Sequence, residues 1–224
     1  MSKFFNILLI LLSFPTMVIA IVVGYDLPIE FLRTSGSQIP YKFEVFLVLG
    51  IMYLMIIVRR SVKRWAGVHM MSQVKRFKWN EPMGEGRKKQ VFLYQSLEAV
   101  IMAMGGLSLY TLCGDAWLPA LALGIGAFDN LVFLFAGKQK DMYRIGLTAN
   151  AVVVADREVR VLYFSGLRKV SIQQQTVFFD YIKDFQMTFP LSCIKDKDKT
   201  SFKDVLEAQL DRDRVYFSEG VKNL

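Results

Sequence analysis

Residues 91–136 read VFLYQSLEAVIMAMGGLSLYTLCGDAWLPALALGIGAFDNLVFLFA. Two nearly uncharged apolar blocks, Val91 to Leu112 and Leu118 to Ala136, flank the short turn Cys113 to Trp117. The hydrocarbon of a bilayer is roughly 30 Å thick and a helix rises about 1.5 Å per residue, so about 20 mostly apolar residues span it. The stretch therefore predicts an antiparallel pair of transmembrane helices. Working outward, Phe4 to Val23 and Phe43 to Val58 with a few flanking residues are two further spans. The 224-residue chain is 53% hydrophobic with a mean hydropathy of +0.32, above the roughly 45 to 50% of soluble domains. That composition excludes intrinsic disorder, collagen and a disulfide scaffold. The first block could instead be a secretory signal, since Lys3 precedes it and Val18-Ile19-Ala20 resembles a cleavage site in part. Against cleavage, its apolar run continues to Val23.

The positions of Lys and Arg predict orientation. Residues 59–90 hold ten basic side chains against Glu81 and Glu85, an excess equal to the whole net charge of +8. The other connections are short of cations: residues 24–42 carry Arg33 and Lys42 against Asp26 and Glu30, and the 113–117 turn has only Asp115. The basic segment and both termini are accordingly expected in the cytoplasm, in agreement with Lys138, Lys140 and Arg144 after the fourth span. Cys113 would then face outside and Cys193 the cytosol, where they cannot bridge.

Within the basic segment, from Ser61 to Trp79, Val62, Ala66, Met70, Val74 and Phe77 recur at spacings of four and three, the pattern of an amphipathic helix. The candidate lipid-facing set is Arg59, Arg60, Lys63, Arg64, Trp65, Lys75, Arg76, Phe77, Lys78 and Trp79. Aromatic rings settle at headgroup level, and each basic side chain near anionic lipid contributes about 1 kcal/mol. The bland alternative is an extension of the second span whose charges only set topology. Nucleic acid is disfavoured, because lipid phosphates lie closer to a segment tethered to the bilayer at both ends. His69, beside this face, reads as a bystander, and the break at 80–86 lacks the pattern of a phosphate loop.

Glu98 and Asp129 are the two acids deep inside the spans, with Asn130, Gln95 and Tyr94 as polar neighbours. Glu98 lies 17 residues before Asp115 and Asp129 14 after it, so in a hairpin their depths differ by roughly 4.5 Å. No Lys, Arg or His falls within the four windows to neutralise them. Two readings follow: a proton or cation site, or neutral acids bonded to a neighbouring helix or a partner subunit. Small residues at Ala99, Ala103, Gly105 and Gly106, facing Ala120 with Gly124 or Ala122 with Gly126, predict close helix packing.

After Ala136 the blocks give way to alternation. Residues 145–155, 159–164, 167–173, 176–181 and 185–191 read as strands, and the short polar breaks between them suggest an antiparallel meander. Ser201 with Asp204 three positions on suggests a helix start, and Phe202, Val205, Leu206 and Leu210 its inner face as far as Arg214. The expected organisation is a four-helix transmembrane domain (1–136) with its basic loop 59–90, then a cytoplasmic α+β domain (137–224). That domain would be a small antiparallel sheet or partial barrel capped by the C-terminal helix.

Leu147-Thr148, Tyr163-Phe164-Ser165 leading into Leu167-Arg168-Lys169-Val170, Phe189-Pro190-Leu191, and the helix with Phe202 and Leu206 carry a resemblance over about a third of the chain. The stretch from Tyr143 to Leu210 resembles the pleckstrin-homology-like domains of bacterial membrane proteins, including the YcxB-like group. Four N-terminal spans depart from that family's pattern of fewer. The resemblance implies a binding or scaffolding module on an anchor in the bacterial inner membrane, with no catalytic motif to carry over.

Signatures of zinc hydrolases, serine hydrolases, thiol–disulfide enzymes and phosphate loops are absent, so no cofactor and no enzymatic activity are expected. The reading is an accessory or regulatory membrane protein that binds lipid, a protein partner or further copies of itself. The alternative is a small ion or proton pathway through Glu98 and Asp129.

Overall fold

The computed structural model describes residues 2–30, 33–139, 141–211 and 214–222. Lys140, expected to help set the topology, lies outside them, as do the side chains of Lys3 and Lys138. The chain forms two compact units, Met1–Val62 with Tyr94–Leu134 and Lys63–Leu93 with Phe135–Leu224.

The first unit is helical. Helix α1 (Ser2–Gly24) leads through a ribbon of β1 (Pro28–Ile29) and β2 (Thr34–Ser35) to α2 (Lys42–Ser72). Helices α3 (Glu85–Leu112) and α4 (Trp117–Gln139) follow. All four are long and apolar enough to cross a membrane. Their core gathers Leu12 and Ala20 of α1, Phe46, Tyr53 and Ile57 of α2, Met102 and Leu109 of α3, and Ala120, Leu123 and Ala127 of α4. Pro15 lies inside α1 without breaking it, and the neighbouring hydroxyls of Ser13 and Thr16 donate to carbonyls one turn back. The Tyr53 hydroxyl then reaches both hydroxyl oxygens, at 3.2 and 3.4 Å. At Gly106 a Cβ would stand 2.9 Å from the Ala120 carbonyl oxygen, so α3 and α4 approach backbone to backbone. Gly126 is buried against Met102 and Ile57, whereas Ala103 and Gly124 face outward. The small-residue faces thus make contact only in part.

The second unit holds two four-stranded sheets. The first runs β3 (Trp79–Pro82), β4 (Arg144–Leu147), β5 (Ala151–Ala155), β6 (Val159–Tyr163), antiparallel throughout. The second contains β7 (Leu167–Gln173), β8 (Thr176–Tyr181) and β9 (Gln186–Pro190), antiparallel, with β10 (Tyr216–Phe217) added parallel to β7. Helix α5 (Lys199–Gln209) and the short α6 (Glu219–Lys222) complete the unit. Phe202 of α5 packs its ring 5.3 Å from Trp79 and 6.3 Å from Phe189, and Leu206 is fully buried one turn on.

Five expectations need correction. The single strand expected over 145–155 is a hairpin, because the Thr148 hydroxyl accepts from the backbone N–H groups of Asn150 and Ala151 and turns the chain. The meander breaks at Ser165-Gly166, where β6 and β7 pass to different sheets; Gly166, at φ +77°, takes a conformation that costs glycine little. The C-terminal helix begins at Lys199 rather than at Ser201, and it ends at Gln209. Most consequentially, the basic segment is not a loop apart from the sheet domain. It supplies the end of α2 and the edge strand β3, so the second unit starts at Lys63 instead of 137. Fifth, α2 is helical only to Ser72, short of the Trp79 end expected for the amphipathic helix. The Gln174-Gln175 connection, in contrast, is the two-residue hairpin turn expected: both residues have positive φ, at 44° and 59°, which matches the twist of the flanking strands.

Candidate functional site

The acids in the helical unit meet neighbouring residues of α2. The Glu98 carboxylate takes a two-pronged hydrogen bond from the Arg60 guanidinium, and Ser61 Oγ donates to Asp129 Oδ1 at 2.8 Å. Arg60 is only 9% exposed and Glu98 20%. The sequence window for this span stopped at Val58, so no cation was expected beside Glu98. Because α2 continues without a break to Ser72, Arg60 and Ser61 sit on its inward side and supply a counter-charge and a donor. Helix α2 is thereby tied to α3 through Glu98 and to α4 through Asp129. Asn130 is buried, with Nδ2 3.5 Å from Met102 Sδ, and Gln95 is fully buried on α3.

The basic segment divides sharply by exposure. Arg59, Lys63, Lys75, Arg76 and Lys78 are exposed, whereas Arg60 and Arg64 are buried. The inward line of α2 is Arg60, Arg64, Gly67 and Met71, and the apolar line Val62, Ala66, Met70 faces out, continued by Val74 past the helix end. Two aromatics of the candidate lipid-facing set also point inward. Trp79 lies buried in the sheet core against Phe202, and Phe77 packs with Met71 on Val153 and Ala155. Both turn inward because the segment bearing them pairs with β4. Trp65 remains half-buried.

One buried ionic cluster escaped the sequence reading. Asp156, in the β5–β6 turn, has a side chain only 3% exposed and receives Arg87 Nη2 at 2.6 Å and Arg160 Nη2 at 2.8 Å. Burial by itself would raise this carboxyl; Arg160 and Arg87 outweigh it and hold the group below the ordinary carboxylate value. Arg160 also donates through Nη1 to the Thr188 carbonyl of β9 at 3.0 Å, linking the two sheets. The spacing of Asp156 and Arg160 was visible, but Arg87 is a partner from a remote segment. Beside this cluster, burial pushes the Cys193 thiol up to about 12, which makes it a packed, unreactive side chain.

Two clefts open among the described residues of the second unit. One, of about 470 Å³, is lined by Gly84, Ser192, Lys195 and Lys199 among others, with the acids Glu85 and Asp196 in its wall. The other, of about 380 Å³, lies between the end of α2 and the chain entering β4. Among the described residues, no group of three or more His, Cys, Asp or Glu side chains converges as metal ligands would. Comparison with protein-family models, with curated proteins and with solved structures finds no match to this chain. Its residues therefore carry the functional argument alone.

Proposed function

We propose that this chain is a non-enzymatic membrane accessory or regulatory protein. Its four long helices form the anchor, and its sheet–helix unit is a cytoplasmic binding module for a partner protein. The observation that carries the reading is the pairing of β3 with β4. Both chain crossings between helices and sheet, α2 to β3 and α4 to β4, end in adjacent strands of one sheet, as suits a module that reports a binding event to its anchor. Outward-facing Phe14, Met55, Met104 and Phe128 suit a bundle solvated by lipid chains, and the basic excess of residues 59–90 suits a cytoplasmic face and a bacterial inner membrane. Two sheets followed by a helix that fills their core support the pleckstrin-homology-like reading of the module. The pairing of Arg60 with Glu98 satisfies that acid without a transported cation.

The test is purification of the tagged full chain from its native membrane in mild detergent, with every co-eluting chain identified. A stoichiometric partner lost on substitution of exposed module residues, with spans intact, is expected. Elution as a homo-oligomer alone, combined with ion flux in vesicles that Glu98→Gln with Asp129→Asn abolishes, would replace this reading with the ion pathway.

A further inference from the structure

The smaller cleft combines an apolar floor with a fixed cation. Trp65 and Val68 on α2 and Met142 form apolar wall, and His69, Asp141 and Arg144 stand around it. Arg144 is held in place by Asn80: its Nε donates to Asn80 Oδ1 at 2.8 Å and its Nη2 to the Asn80 carbonyl at 2.9 Å. Its Nη1 is not engaged by Asn80, which leaves a positioned donor at no further ordering cost. The nearby acid is already answered, since Lys88 Nζ lies 2.7 Å from Asp141 Oδ1 and that hydrogen bond keeps the Asp141 carboxyl below its usual value. The exposed cations Lys63 and Lys75 flank the same stretch of chain, and no acid occurs between Arg59 and Lys78.

Trp65 stands seven residues past Val58, the last of the apolar run, or about 10 Å along the helix. Helical side chains lean back towards the N-terminus, so Trp65 and Val68 lean back along their own helix. A half-buried Trp with an Arg near the end of a spanning helix is chemistry for the headgroup layer, where an aromatic ring is wetted on one side only.

We infer that this cleft binds one anionic phospholipid, its phosphate on Arg144 and the upper part of its acyl chains on Trp65, Val68 and Met142. The inference rests on the membrane reading above and adds a specific ligand class to it. The full chain is purified in detergent, stripped of lipid, and examined by native mass spectrometry with phosphatidylglycerol, phosphatidylcholine or inorganic phosphate. Expected is retention of one phosphatidylglycerol at least fivefold over phosphatidylcholine. Arg144→Gln should reduce that retention to the phosphatidylcholine level. Because Arg144 also braces β3, Ser72→Trp serves as a second variant, filling the cleft from an exposed lining position with Arg144 intact; it should have the same effect. Unchanged phosphatidylglycerol retention in Ser72→Trp overturns the inference, as does binding of free phosphate that matches the lipid. Carbonate extraction from phosphatidylcholine vesicles separates the two levels. A chain that stays in the bilayer without a phosphatidylglycerol preference overturns the cleft alone, and a chain released by carbonate overturns the membrane reading as well.

Discussion

Asp156 shows how much a single buried carboxylate can hold. Two arginines converge on its Oδ2, Arg87 from a remote segment and Arg160 from four residues on, and Arg160 continues to the Thr188 carbonyl of β9. Its folded pKa lies below the model-peptide value of about 3.9. The carboxyl therefore contributes stability that is present above about pH 4 and is lost as pH falls through the folded value. Asp156→Asn should strand two guanidinium groups and destabilise the second unit by on the order of 3 to 5 kcal/mol at pH 7. It should also flatten the fall in Tm between pH 5 and pH 2. Thermal unfolding of the detergent-purified chain followed by tryptophan fluorescence measures both. A variant that matches the parent at pH 7 would show that the cluster contributes nothing. In the sequence, Asp156-Arg157-Glu158 is an ordinary polar hairpin turn, because nothing local identifies Arg87 as a partner.

At the scale of the element, α2 is one helix with two jobs along its length. Up to Val58 its apolar residues make a run suited to crossing a membrane, and beyond it the inward line becomes Arg60, Arg64, Gly67 and Met71. Gly67 is where the helix meets the first sheet: a Cβ added there would run into the Val159 side chain of β6. Gly67→Val should cost about 1 to 3 kcal/mol by overpacking, and Val159→Ala in the same chain should recover a large part of the loss. Denaturant titration of the two single variants and the double variant gives the coupling; simple additivity would contradict the contact. Hydrophobic spacing alone pointed to the opposite face, since Val62, Ala66 and Met70 form the more regular apolar line. Periodicity reveals that a helix has a stripe, and it does not reveal whether protein or lipid covers it.

For the molecule as a whole, the boundary between helices and sheet does not follow the order of the chain. Residues 137–224 alone lack β3, so β4 loses its edge partner and Phe202 its contact with Trp79. Produced by itself, that fragment should fail to fold or should aggregate, and adding residues 63–83 as a separate peptide or by a short linker should restore structure. Far-ultraviolet circular dichroism and its melting curve decide it for the fragment, which has no tryptophan, and the near-ultraviolet signal of Trp65 and Trp79 reports the reconstituted pair. A cooperatively folded 137–224 would show that the basic segment is dispensable to the sheet unit.

The four helices, the alternating strands after Ala136, the Gln174-Gln175 turn and the Phe202–Leu206 helix were legible in the sequence because each is written in a local period or run length. The charge excess of residues 59–90 was equally plain, being a matter of composition. Only the tertiary structure decided that Trp79–Pro82 is a strand, that the meander divides into two sheets, and that Glu98 belongs to Arg60 and Asp156 to Arg87. A four-residue strand carries too little alternation to announce itself, and its pairing with β4 spans the whole α3–α4 hairpin in sequence. Choice of partner is a long-range property: it depends on which remote segments the packing of the core brings together, and no window along the chain contains both halves of the contact.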